Sequence, residues 1–102
     1  YIMPEVCRKD DSLSTGHGCA STTTLDTPGQ GTVYANNILI ARKGDPTVAH
    51  PFPPDPPCAP HVANVNAGSG TVFVVGSEIA RIGDSADAGN MTGGSPDVFA
   101  GD

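Results

Sequence analysis

One short segment occurs three times in this chain. Each copy is marked by Arg and then an acidic pair or Gly-Asp: Arg8-Lys9-Asp10-Asp11, Arg42-Lys43-Gly44-Asp45 and Arg81-Ile82-Gly83-Asp84. A polar loop, a Gly/Ser-rich turn and a short strand follow each mark, the strands starting at Gly31-Thr32-Val33, Gly70-Thr71-Val72 and Pro96-Asp97-Val98. The first two copies close alike, with Ile40-Ala41-Arg42 and Ile79-Ala80-Arg81, at the same distance from Val33 and Val72. Self-similarity at fixed spacing defines a repeat architecture. Three copies in so short a chain predict a closed object with pseudo-threefold symmetry, a shape that suits a threefold partner. The chain reads as a single domain over 1–102, with repeats at about 8–41, 42–80 and 81–102.

Such a chain has little core. A domain of 102 residues buries only about 60–65% of its unfolded surface. Hydrophobic residues make up 37%, Trp is absent, and there are 13 Gly and 10 Pro. That balance alone resembles disorder, but a disordered chain does not keep a fixed spacing between Val and Arg. A thin core needs a staple, and three Cys and three His are available. An odd Cys count allows at most one internal disulfide and, mixed with His, favours a metal site over a disulfide framework.

The net charge of −6 argues against nucleic acid, which is held by Lys and Arg on phosphate, and against anionic lipid. No apolar run approaches the roughly 20 residues of a membrane span. Tyr1-Ile2-Met3-Pro4 lacks the basic start and apolar core of a signal peptide.

The expected architecture is all-β, with short strands and long loops. Residues 5–9 read as a short strand and 10–30 as loop. Thr32–Ala35 and Ile38–Arg42 read as strands around an Asn36-Asn37 turn, because Asn tolerates the left-handed backbone of a two-residue hairpin. Thr71–Val75 and Glu78–Ile82 repeat this around Gly76-Ser77. The third copy shows only Val98-Phe99-Ala100, a half-built hairpin. Asp84–Gly89 is the one helix-like run. Pro51-Phe52-Pro53-Pro54-Asp55-Pro56-Pro57 cannot enter a central strand, since Pro lacks the donor, and is expected to be stiff and extended.

The loops of the first two copies hold His17, Cys19, His50, Cys58 and His61, with Cys7 further away. His17-x-Cys19 and Cys58-x-x-His61 are short chelates. Zn²⁺ takes four N or S ligands in a tetrahedron, and a closed structural site would tie the two loops together. A Cys19–Cys58 disulfide is the competing reading. A catalytic zinc site needs an open position, a general base and a substrate pocket. Asp11, Asp45 and Asp84 recur once per copy, as structural turn residues would, each accepting backbone or Arg hydrogen bonds. The chain also has no Gly-x-Ser-x-Gly and no P-loop. It is therefore expected not to be an enzyme and to take no small-molecule substrate.

In this order the motifs resemble the PAAR-repeat family, the spike tips of type VI secretion systems and contractile phage tails. The resemblance rests on Leu39-Ile40-Ala41-Arg42-Lys43-Gly44-Asp45 and Glu78-Ile79-Ala80-Arg81-Ile82-Gly83-Asp84. It also rests on Gly68-Ser69-Gly70-Thr71-Val72, Gly94-Ser95-Pro96-Asp97-Val98 and Gly16-His17-Gly18-Cys19, and on the loop His50…Cys58…His61. It covers roughly residues 4–101. It implies a small cone of β-hairpins and loops with one structural metal ion near the apex, Zn²⁺ or else iron, and a flat base that docks on a trimeric β-helical spike. Three His and one Cys commonly hold the family's metal. His17, His50 and His61 carry over, with Cys58 favoured as the fourth ligand and Cys19 as its alternative. Many relatives place that Cys in the third copy, near Ala88, where this chain has none. Copy one departs further, with Thr27-Pro28-Gly29-Gln30 for the usual Gly-Ser turn and Asp10 where Gly is expected.

The function so implied is mechanical. The chain caps a trimeric spike, one tip per trimer, and meets the target envelope transiently. Val33, Val72 and Val98 are the apolar base residues expected to dock on the spike. A machine assembled in the cytoplasm, as a virion tail or a secretion spike, fits the missing signal peptide. The short termini imply a bare tip without a fused toxin or carrier. The alternative is a small metal-binding interaction module of an extracellular assembly, binding through the Pro-rich loop. A zinc hydrolase is a third reading, for which the triplicated layout supplies no base.

Overall fold

The structure is a computed structural model that describes residues 3–52 and 58–101. Ten short strands run in chain order: β1 (Ser12–Ser14), β2 (Thr22–Thr24), β3 (Tyr34–Ala35), β4 (Ile38–Leu39), β5 (His50–Phe52), β6 (Ala59–His61), β7 (Phe73–Val74), β8 (Ser77–Glu78), β9 (Ser85–Ala86) and β10 (Gly89–Met91). They form one four-stranded sheet, β2-β1-β10-β9, and three hairpins, β3-β4, β5-β6 and β7-β8. All pairings are antiparallel. The described residues contain no helix, so the all-β expectation holds. Within them no helix is long and apolar enough to cross a membrane.

The repeats are built from one recurring set of bonds. In each copy the Arg amide and guanidinium close on the Asp three residues later. Arg8 Nε lies 2.9 Å from Asp11 Oδ2, Arg81 Nε 3.0 Å from Asp84 Oδ2, and Arg42 Nε 3.4 Å from Asp45 Oδ2. These Asp therefore serve the turn, as their recurrence predicts. Each guanidinium also reaches another hairpin: Arg42 Nη1 donates to Val75 O, Arg81 Nη1 to Gly101 O and Arg8 Nη1 to Asn36 Oδ1. Ser69 Oγ and Ser95 Oγ each accept two backbone amides at the start of their hairpins, from Thr71 and Val72 and from Asp97 and Val98. Gln30 Oε1 does the same for Thr32 and Val33. The longer Gln side chain replaces the Ser hydroxyl that copy one lacks.

The third hairpin is complete. Its missing strand comes from the start of the chain. Val6 N donates to Val98 O at 2.9 Å, matching Ile40 N to Val33 O at 3.1 Å and Ile79 N to Val72 O at 3.0 Å. Glu5 pairs with Phe99 as Leu39 pairs with Tyr34 and Glu78 with Phe73. One residue on, three amides close a ring: Cys7 N to Ala80 O, Ala41 N to Cys7 O and Ala80 N to Ala41 O, at 2.9, 2.9 and 3.0 Å. All three residues are fully buried. Burial, then the charges of Asp11 and Asp84, pushes the Cys7 thiol well above its usual range, so it packs as a small apolar group.

The strand reaching this ring separates two apolar clusters. Val6, Ala35, Ile40, Val74, Ile79 and Ala100 pack under the hairpins, and Val33, Val72 and Val98 lie half-buried against them. Cys7, Leu13, Leu25, Ala41, Val65, Ala80, Ala86 and Met91 form the other cluster. The side chains exposed on the hairpins are the next residues along each strand: Tyr34, Phe73 and Phe99, at 54%, 57% and 45%.

Two further sequence expectations need correction. The 10–30 region contains β1 and β2, whose Ser/Thr composition hides them because only Leu13 faces the core. Asp84–Gly89, the one helix-like run, supplies β9 and the start of β10, in keeping with the all-β expectation. The second hairpin turns at Val75-Gly76, since Val74 pairs with Ser77. Val75 thus sits at φ 48° and Gly76 at 82°, matching Asn36 and Asn37 at 56° and 64°. A β-branched residue is an outlier there, and Val75 is 59% exposed, so it gains little from burial. Val75→Asn is expected to raise stability by about 1 kcal/mol by relieving left-handed strain, as read from the urea midpoint. An unchanged or lower midpoint would show that Val75 is not strained.

Candidate metal centre

Three loops converge on one point. His50 and His61 face each other across the β5-β6 hairpin, paired in register. His17 follows β1, and Asp87 lies in the β9-β10 turn at φ 54°. The copy-one and copy-three loops meet because two glycines permit it. A Cβ on Gly16 would lie 2.1 Å from Ala88 O, and one on Gly89 would lie 2.1 Å from Ser14 O. Thr15 ties its own loop with hydroxyl contacts to Ala20 O and His17 O, and its carbonyl accepts from Ala88 N.

Three imidazole Nε2 atoms and one carboxylate oxygen point inward. Asp87 Oδ2 is 2.8 Å from His17 Nε2, 2.8 Å from His50 Nε2 and 3.4 Å from His61 Nε2. His17 Nε2 lies 3.2 Å from both His50 Nε2 and His61 Nε2, and the His50–His61 separation is 2.9 Å. Ligands roughly 2.0–2.1 Å from a tetrahedral zinc stand about 3.3–3.4 Å apart, so the cluster needs only slight expansion. Phe52 packs on His17 edge-on at 4.8 Å and tilts over His61 at 4.3 Å, covering the cluster with an apolar ring.

The outer bonds prepare the nitrogens for a cation. His17 Nδ1 is 2.8 Å from Gly18 O, and His50 Nδ1 is 2.9 Å from Val48 O. A carbonyl only accepts, so both Nδ1 atoms carry protons. In the neutral ring this leaves the Nε2 lone pair facing inward, the tautomer of a metal ligand. Two inward lone pairs against one carboxylate at 2.8 Å repel unless a proton or a metal ion lies among them. The titration shifts express the same need. The Gly18 carbonyl, and then Asp87, hold His17 above its ordinary value against the pull of burial. Burial pushes Asp87 up, but the hydrogen bonds from His50 and His17 outweigh it and hold the carboxyl below its usual range. The set can hold one metal ion, and three imidazoles with a carboxylate suit zinc, iron or a related first-row ion.

The structure thus brings together His17, His50 and His61 and departs from the predicted fourth ligand. Cys58 and Cys19 are bonded to each other in a disulfide with Cα atoms 6.1 Å apart, so neither supplies a thiolate. Asp87 takes the place instead. It comes from the third copy, beside Ala88. Each copy thus contributes at least one donor to the cluster, and copy three contributes a carboxylate. The disulfide closes a separation of 39 residues, which in the chain-entropy model restricts the unfolded chain by about 3–4 kcal/mol. The rest of the Pro-rich segment, residues 53–57, lies outside the described residues. Pro51 and Pro60 pair in the two-stranded β5-β6 hairpin, where each strand is an edge.

The PAAR motif family model matches residues 14–91. That span covers most of the chain and includes all four inward-pointing donors, and the protein belongs to the PAAR motif family. Membership places it among the spike-tip proteins of type VI secretion and contractile injection systems. No curated protein matches the chain.

Proposed function

We propose that this protein is the tip of a membrane-piercing spike in a contractile injection machine, a contractile tail or a secretion spike. It caps a trimeric β-helical spike, one tip per trimer, and acts mechanically rather than catalytically. The observation that carries the reading is the set of three aromatic side chains, Tyr34, Phe73 and Phe99. They occupy equivalent register positions in the three hairpins, and all are exposed. Single exposed apolar residues are ordinary. The same position left aromatic and uncovered in every copy is what a threefold partner would recognise. Val33, Val72 and Val98 are half-buried against the hairpin cluster and offer the partner less area.

Metal, disulfide and the closed ring reduce the conformations open to a chain with a thin core, which keeps a tip from splaying under load. The metal's contribution is cohesion: it would hold His17, His50, His61 and Asp87 from three loops at one point. Assembly in the cytoplasm and delivery across a target envelope follow from the same role.

The test is co-purification with a trimeric spike protein. Replacing Tyr34, Phe73 and Phe99 together by Ser is expected to abolish it, since buried aromatic anchors each contribute about 2 kcal/mol or more at such interfaces. The variant's circular dichroism should stay unchanged, because these side chains face solvent. Undiminished capture by the spike would overturn this docking face.

A further inference from the structure

The Cys19–Cys58 bond joins two segments that carry the clustered histidines, and its sulfurs are not among the inward-pointing donors. Cys19 is the second residue after His17, and Cys58 is the third before His61. The disulfide therefore ties the loop that carries His17 to the hairpin that carries His50 and His61. Away from the cluster, the backbone links between these two regions lie at the loop bases: Leu25 with Thr47, Val48 N to Thr24 O and Asp26 N to Pro46 O. Cys19 is exposed, so a reductant can reach the bond. It also adopts φ 72°, a conformation that favours Gly or Asn. A residue kept at an unfavourable backbone angle is kept for its side chain, and here the side chain makes the crosslink.

We propose that this disulfide is a redox latch on the metal centre. The inference rests on the metal reading above. With the bond formed, His17 stays close to its partner ligands even when one metal–ligand bond opens, and the ion is recaptured before it leaves. A thiol reductant opens the latch: two reductant thiols become one disulfide, and two electrons and two protons convert Cys19 and Cys58 to separate thiols. The His17 loop then moves independently of the hairpin, and the effective concentration of its imidazole at the ion falls. Disulfides persist in oxidising compartments and are kept reduced in the cytoplasm of most cells. The chain would accept metal readily where it is made and lock it in once outside.

The experiment uses the full chain loaded with one Co²⁺ and follows release to excess chelator by absorbance. It compares the oxidised protein, the same protein after phosphine reduction, and the Cys19→Ser/Cys58→Ser double variant. Reduced protein and variant should lose cobalt at similar rates, at least about tenfold faster than the oxidised protein, as expected when a tether is cut. Circular dichroism of all three checks that the fold persists. Equal release from all three overturns the latch and leaves the metal reading intact. Slower release on reduction, with a new thiolate-to-cobalt charge-transfer band, overturns it as well, because a freed Cys would then be a ligand. A chain that binds no cobalt in either redox state removes the metal reading and the latch together.

Discussion

Stripping the metal from the loaded protein is expected to lower its thermal midpoint by tens of degrees. An ion that binds only the folded state at a free concentration near 1,000 times its Kd contributes about 4 kcal/mol. In a domain of this size each kcal/mol is about 4–8 °C, so the shift is roughly 15–30 °C by the same relation. Scanning calorimetry with stoichiometric zinc and then with excess chelator reads it directly. Asp87→Ala is expected to elute without metal and to melt with the stripped protein. Asp87→Cys should retain metal, because a thiolate is also a zinc donor and bonds only about 0.1–0.3 Å longer than a carboxylate. Metal retained by Asp87→Ala would exclude Asp87 from the ligand set.

The pH dependence has a definite sign. Ligands must be deprotonated to bind, so metal affinity falls as pH falls. His17 is raised by the Gly18 carbonyl and Asp87, so proton competition starts above the ordinary imidazole value. The metal-free protein behaves differently. A raised His17 stabilises the fold below its unfolded value, and this is lost as pH rises through the folded value. A lowered Asp87 stabilises above its unfolded value, and this is lost as pH falls through the folded one. The His17–Asp87 pair therefore supports the stripped protein between those two limits. Zinc should add most above the upper limit, where the pair no longer helps. A gain from zinc that shrinks with rising pH over neutral values would contradict this.

Much of the site was readable from residue type. His17, His50 and His61 are the chain's only histidines, so their convergence needed no fine geometry, although His50 and His61, read as loop residues, lie in the β5-β6 hairpin. Asp87 was not readable as a ligand, because it is one of eleven acidic residues and nothing local separates it from Asp84, which closes a turn. Cys58 and Cys19 had the spacing of ligands, but their partners depend on which loops meet, a tertiary fact. In the fold, the two Asn- and Gly-containing hairpins announced themselves through turn chemistry. β1 and β2 did not, since Ser and Thr strands with one buried residue lack a readable alternation. The third hairpin was the largest omission. Val98-Phe99-Ala100 has no following strand in sequence, and its partner lies at the opposite end of the chain.

That closure carries the second large effect. Val6 is fully buried in the hairpin cluster with Ala35, Ile40, Val74, Ile79 and Ala100. Its amide donates to Val98 O and its carbonyl accepts from Ser95 N, while Cys7 beside it supplies one member of the three-bond ring. Val6→Asp is expected to cost more than about 4 kcal/mol, the range reached when a charge enters a core without a partner. Whole domains are stable by only about 5–15 kcal/mol, so the metal-free variant should be largely unfolded at 25 °C. Ile40→Asp and Ile79→Asp, at the matching positions of the other hairpins, should be as damaging. Tyr34→Asp, on the exposed face of the same hairpin layer, should change stability by less than about 0.5 kcal/mol, as surface substitutions usually do. Urea titration of the four variants separates the outcomes. If Val6→Asp melts like Tyr34→Asp while Ile40→Asp and Ile79→Asp unfold, the first strand only lies on the surface and the third copy is open. If all three buried positions fail alike, the strand at the start of the chain closes the ring. The three-hairpin face then depends on the first and last described segments finding each other.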